Sequence, residues 1–140
     1  MNAGIRNATV FKYVRPEAKA AKTVVQLCRS DLVYANVQVI SHGGENNLHS
    51  HTALEGVWIV LKGKARFYGE RDTMLAELGS LEGINIPPGF PYWFESVGDE
   101  ILEILQVEAI DKTVKDSRRL DHTPQKAATL EMKTIKSSDA

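Results

Sequence analysis

The chain has 140 residues, 43% of them hydrophobic and 25% charged, ordinary proportions for one folded domain with a single core. Its 17 Lys and Arg stand against 18 Asp and Glu, a formal net charge of -1, which argues against a protein whose main task is gripping nucleic acid or an anionic membrane. The longest uncharged apolar run, Gly56 to Leu61, is too short to span a bilayer, and residues 1–22 lack the apolar stretch of a secretory signal. A cytoplasmic location is therefore expected. Cys28 is the sole cysteine, so no internal disulfide is possible, and it reads as a small buried hydrophobe.

Residues 1–22 carry Lys12, Arg15, Glu17, Lys19 and Lys22 among a few apolar anchors and read as an arm or first strand. Thr23 to Leu27 reads as a strand from its β-branched residues. Leu32 to Ile40 alternates strictly, with Val33, Ala35, Val37 and Val39 on one face and Tyr34, Asn36 and Gln38 on the other. Val57 to Leu61 is fully apolar, and Lys62-Gly63 predicts a hairpin turn into Ala65 to Tyr68. Gly83 to Ile86 is stopped by Pro87-Pro88-Gly89. Tyr92 to Glu95 and Ile101 to Val107 follow, joined by a second hairpin signal at Val97-Gly98-Asp99-Glu100. Helical periodicity is absent at useful length. The pattern predicts an all-β sandwich or small barrel over residues 1–110.

Residues 111–140 hold no glycine and no Phe, Trp or Tyr. They read as a polar C-terminal tail. The alternative is a docking arm in which Leu130, Met132 and Ile135 lie on the barrel or on a second subunit.

One cluster carries chemistry. His42, His49 and His51 fall within ten residues, and on an extended strand His49 and His51 point to the same side. Two imidazoles on one face can bind a transition metal if a carboxylate joins them from a neighbouring strand. The plainer alternative is two histidines satisfied by hydrogen bonds in a polar interior.

Gly43, His49, His51, Glu55 and Gly63, with the intervals between them, resemble the first cupin motif, and Leu81 through Ile86-Pro87-Pro88-Gly89-Phe90-Pro91 resembles the second. The resemblance covers roughly residues 32–108. It implies a cupin jelly-roll β-barrel (a double-stranded β-helix), commonly dimeric in small members, so a homodimer is expected. It also implies a divalent transition metal (Fe, Zn, Mn or Ni) held inside by His49, His51 and Glu55. Two positions depart from the family pattern. Counting back from Gly63 puts the acid at Gly56, so Glu55 is one residue out of register, and such a slip turns a side chain to the other face unless a bulge restores it. The second-motif histidine is replaced by Tyr92. A phenol with a pKa near 10 is a poor ligand for zinc or nickel at neutral pH, but it serves as a hydrogen-bonding or acid–base hydroxyl.

Parity places His49, His51, Tyr92, Phe94, Gly56 and Trp58 in the lumen, with Tyr34, Asn36 and Gln38 on the approach strand. The candidate catalytic set is Tyr92, His49 and His51. Trp58, Phe94, Tyr34, Asn36 and Gln38 are the candidate lining of a small-molecule pocket. Three functions compete: a metal-dependent dioxygenase, decarboxylase or isomerase acting on a small organic metabolite; a metal-free isomerase similar to nucleotide-sugar ketoisomerases; and a small-ligand binding protein without turnover. The second needs arginines, and residues 32–48 contain none.

Overall fold

Alternation and β-branching become strands through most of the chain. The computed structural model describes residues 7–17, 20–41, 45–126 and 132–137. Among these the strands are β1 (Lys22–Arg29), β2 (Val33–Ile40), β3 (His49–His51), β4 (Leu54–Lys62), β5 (Ala65–Tyr68), β6 (Met74–Leu78), β7 (Gly83–Ile86), β8 (Trp93–Ser96), β9 (Leu102–Ile110), β10 (Arg119–Asp121) and β11 (Lys133–Lys136). A 3-10 turn at Glu70–Asp72 precedes β6. No helix among the described residues is long and apolar enough to cross a membrane. His42, Gly43 and Leu130 lie outside the described residues.

The strands form a six-stranded sheet in the order β11-β1-β2-β9-β4-β7, a three-stranded sheet β6-β5-β8 and a pair β10-β3. An antiparallel bridge between His49 and Tyr92 joins the pair to β8, so the two smaller sheets make one second layer. The layers meet over an apolar core. Ile40, Trp58, Val60, Leu102 and Ile104 come from the large sheet, and Ala65, Phe67, Leu78 and Phe94 from the small one. Trp58, Phe67 and Phe94 are fully buried and pack ring to ring at centroid distances of 4.9 to 5.9 Å. This is the jelly-roll barrel that the strand pattern and the cupin-like motifs imply.

Two expected hairpins are corrected. The chain turns at Lys62-Gly63 and at Val97-Gly98, but β5 pairs with β6 and β8, while β9 pairs with β2 and β4. Both turns carry the chain across from one sheet to the other, because only then do both apolar faces look inward. The turns lie side by side, with the Val97 N–H donating to the Lys64 carbonyl at 2.9 Å. Local pairing rules see the turn residues but not which sheet the next strand joins.

Strand β6 was not anticipated. Met74-Leu75-Ala76-Glu77-Leu78 has no β-branched residue and no alternation, and its strand form comes from pairing with β5. The segment beyond residue 110 contributes two further strands: β10 lies antiparallel to β3, and β11 lies parallel to β1. Residues 7–17 form no strand, and the Tyr13 hydroxyl donates to Glu103 of β9 at 2.5 Å.

The two crossover glycines differ in a measurable way. Gly63 has φ of 87°, and a Cβ there would lie 2.9 Å from the Ile101 carbonyl oxygen and 3.0 Å from the Leu102 Cα. Gly98 has φ of 85° but open space around the same position. Gly63→Ala should therefore cost about 3 kcal/mol, from backbone strain plus a backbone clash. Gly98→Ala should cost about 1 kcal/mol from the left-handed conformation alone. Urea denaturation checks this, as a larger fall in midpoint for Gly63→Ala at an unchanged slope.

Candidate functional site

The barrel lumen divides in two. One end is filled by the aromatic core. The other holds a cavity of about 310 Å³ between the layers. Strand parity explains its lining. Lys22, Val24 and Gln26 face it from β1, and Tyr34 and Gln38 from β2. Strand β9 supplies Gln106 and Glu108, and β4 supplies Trp58. From the second layer come Asn46, His49, His51 and Tyr92. The C-terminal segment closes the wall with Arg119, Met132 and Thr134.

The histidines and Tyr92 come together as parity required. His49 and Tyr92 exchange backbone hydrogen bonds of 3.0 and 2.9 Å, so their side chains leave the sheet on one face. Their ring centroids are 4.6 Å apart, and His49 lies 5.1 Å from His51, edge to face. The His49 Nδ1 is 2.6 Å from the Asn47 carbonyl oxygen, so Nδ1 carries the proton and donates it there, leaving Nε2 with a free lone pair.

Burial holds both imidazoles neutral at pH 7. It pulls the His49 pKa down to about 3, with the Arg119 guanidinium adding to the effect. His51 moves in the same direction for the same causes, but it is less buried, and Asp121 opposes the shift. Burial raises the Tyr92 pKa well above its usual value, so the phenol keeps its proton. The Trp58 indole N–H, close enough to temper that shift, has no hydrogen-bond partner among the described residues.

Glu55 does not reach this group. It lies exposed on the outer face of β4, where Asn85 donates to its carboxylate at 3.2 Å. The one-residue offset turned it outward, and no bulge at Glu55 restores it. Gly56 takes the inward position. Directly across from it on β9 stands Glu108, which is buried and faces the cavity. Burial raises the Glu108 pKa, while Arg29 and Arg119 oppose the rise. Among the described residues, no group of three His, Cys, Asp or Glu is placed to hold a metal ion. With Glu55 outside and a phenol at Tyr92 in place of an imidazole, the donors around His49 and His51 do not match the set that the family pattern implies.

Two lining expectations are corrected. Phe94 belongs to the aromatic core beneath the cavity rather than to its wall, because it stacks on Phe67 at 4.9 Å. Asn36 is buried but is not part of the cavity wall: its amide donates to Gln106 at 3.0 Å, and its Oδ1 has no partner among the described residues. Tyr34, Gln38 and Trp58 do line the cavity, and the buried Gln38 Oε1, like the Trp58 indole N–H, has no partner there.

Sequence reasoning missed Lys22, Glu108 and Arg119. The alternation of Gln106 and Glu108 with apolar neighbours in β9 was a usable signal. Arg119 had none, since it lies in a polar stretch without periodicity. Its guanidinium is held by Asp121 at 2.9 Å and by the Asn47 side-chain oxygen at 2.6 Å. The latter contact ties it to the turn that also orients His49.

The sequence matches no protein-family model and no curated protein. Solved structures do match. An uncharacterized protein with a double-stranded β-helix domain from Klebsiella pneumoniae is 18% identical, with a TM-score of 0.67 over 85% of this chain and 98% of that one. A cupin from Desulfovibrio desulfuricans is 20% identical, with a TM-score of 0.58 over 75% and 96%. The DMSP lyase DddQ from Ruegeria pomeroyi is 24% identical, with a TM-score of 0.55 over 68% of this chain and 45% of that one. The chain has the cupin fold.

Lys22 is 5% exposed, and no carboxylate partners it among the described residues. Burial, with Arg119 nearby, pulls its pKa from 10.5 down to about 8. Between pH 8 and 10 the unfolded chain therefore holds more protons at this site, and stability rises with pH through that window. In a buffer without strongly bound anions, Lys22→Met should gain about 3 kcal/mol at pH 7 and flatten that rise. Thermal unfolding followed across pH 7 to 10 measures both.

Proposed function

We propose that the cavity binds a small organic metabolite and that its residues move a proton on it, without a bound metal. The observation that carries this reading is the shared cavity of a proton acceptor and a proton donor, His51 and Tyr92, on either side of His49. His51 is the base. It is neutral at pH 7, and its basicity is less depressed than that of His49. Tyr92 keeps its proton and donates a hydrogen bond to the substrate oxygen on which negative charge builds. His49, its Nδ1–H spent on Asn47, accepts a hydrogen bond from a substrate hydroxyl at Nε2. The Gln38 oxygen, without a partner among the described residues, gives a polar ligand a further point of attachment, since buried polar groups are normally paired.

Proton abstraction next to a carbonyl is the reaction class these parts serve, as in an isomerase or a lyase. The Ruegeria fold neighbour is named a lyase, which is compatible with this chemistry. The metal-free reading is favoured over the metal-dependent one by the outward Glu55 and by the lack, among the described residues, of a third ligand beside His49 and His51.

Solvent deuterium exchange tests the proposal. The protein would be incubated in D2O with 2-hydroxy acids, 2-keto acids and sugar phosphates, and exchange followed by proton NMR. Exchange into one class is expected, unaffected by EDTA, and lowered roughly 10²- to 10⁴-fold by His51→Gln or Tyr92→Phe. Exchange that survives both substitutions, or that EDTA abolishes and a metal restores, overturns it. Binding of a panel member without any exchange makes the protein a receptor instead of an enzyme.

A further inference from the structure

The chain places two cations at one end of the cavity, and they come from opposite ends of the sequence. Lys22 opens β1, and Arg119 opens β10, which pairs with β3 directly beside the histidines. Arg119 is opposite His51 in that pairing. The Lys22 side chain is buried and its ammonium lies 6.0 Å from the centre of the Phe94 ring, with no carboxylate partner among the described residues. An ammonium buried without a counter-charge is costly, and a second cation beside it raises that cost. Arg119 spends Nε on Asp121 and one terminal nitrogen on Asn47, which fixes the guanidinium and leaves donors on its other terminal nitrogen. The cavity carboxylate, Glu108, pairs across the sheet with Tyr34 and Gly56, and burial favours its neutral form.

We infer that Lys22 and Arg119 form an anion subsite, so that the substrate is a small organic anion bearing a carboxylate or a phosphate group. The inference rests on the cavity being the substrate site and deepens that reading by naming the substrate class. A carboxylate or phosphate bound here gives Lys22 a counter-charge that the described residues do not supply. It meets the donors left on the other terminal nitrogen of the fixed Arg119 guanidinium, which suit either oxyanion. It also leaves the neutral part of the molecule directed at His51 and Tyr92. A cavity of about 310 Å³ has room for a small organic molecule that reaches from these cations to His51 and Tyr92.

The test uses the full chain and three probes at matched ionic strength: inorganic phosphate, acetate and chloride, with glycerol as a neutral control. Thermal unfolding and calorimetry should show stabilisation by phosphate or acetate beyond that of chloride and glycerol, and the stronger of the two identifies the anion. Lys22→Met should weaken that binding at least tenfold while raising the melting temperature without added anion. Arg119→Gln should weaken it similarly, and Arg119→Lys should restore part of it. His51→Gln should leave anion binding intact. Equal responses to all probes, or undiminished phosphate and acetate binding in Lys22→Met, overturn the subsite. Anion binding that depends on Lys22, in a protein that exchanges no deuterium, upholds the subsite and rejects the catalytic reading.

Discussion

Two backbone hydrogen bonds between His49 and Tyr92 hold the site together. They are the junction at which the β10-β3 pair meets the β6-β5-β8 sheet, and so they close the second layer of the barrel. A directly opposed antiparallel pair has its side chains on one face, so the same two bonds put an imidazole beside a phenol inside the lumen. The Pro87-Pro88-Gly89 turn delivers the chain to this junction, and the Gly89 N–H donates to the His51 carbonyl at 2.8 Å. Closure of the barrel and assembly of the site are one event.

The lumen carries two opposed kinds of packing. Trp58, Phe67 and Phe94 make a dry aromatic plug, and Trp58 also forms the floor of the cavity. Above it, polar side chains lie in a low-dielectric space, where each needs a partner or carries a penalty. Asn36, Gln38 and Gln106 share hydrogen bonds, and Arg119 is anchored by Asp121 and Asn47. Four buried side-chain atoms lack a hydrogen-bond partner among the described residues; the Trp58 indole N–H and the Gln38 carbonyl oxygen border the cavity, while Thr23 Oγ1 and Asn36 Oδ1 do not.

The change from the family pattern is coherent. Losing an inward carboxylate at Gly56 and an imidazole at Tyr92 removes half of the implied metal-ligand set. Glu108 returns a carboxylate to the space opposite Gly56, on a strand from the other side, and Tyr92 returns a hydroxyl. The same lumen is lined by two cations, Lys22 and Arg119, the latter paired with Asp121.

By itself, the sequence determined the barrel and the histidine face. Period-two alternation in Leu32 to Ile40, the β-branched strands and the glycine and proline turns are local signals, and local signals suffice to choose strands and to tell one face of a strand from the other. The same parity placed His49, His51 and Tyr92 on one side, and it warned that Glu55 was one residue out of step. Tertiary structure decided everything that depends on which strand lies beside which. It turned two apparent hairpins into crossings between sheets, made strands of Met74–Leu78 and of Arg119–Asp121, and set Glu108 opposite Gly56. It also brought Lys22 and Arg119, almost a hundred residues apart in sequence, to one end of one cavity. No window along the chain contains that meeting, because the energy that enforces it comes from hydrogen-bonded strand pairing and burial between distant segments, which local propensity does not encode.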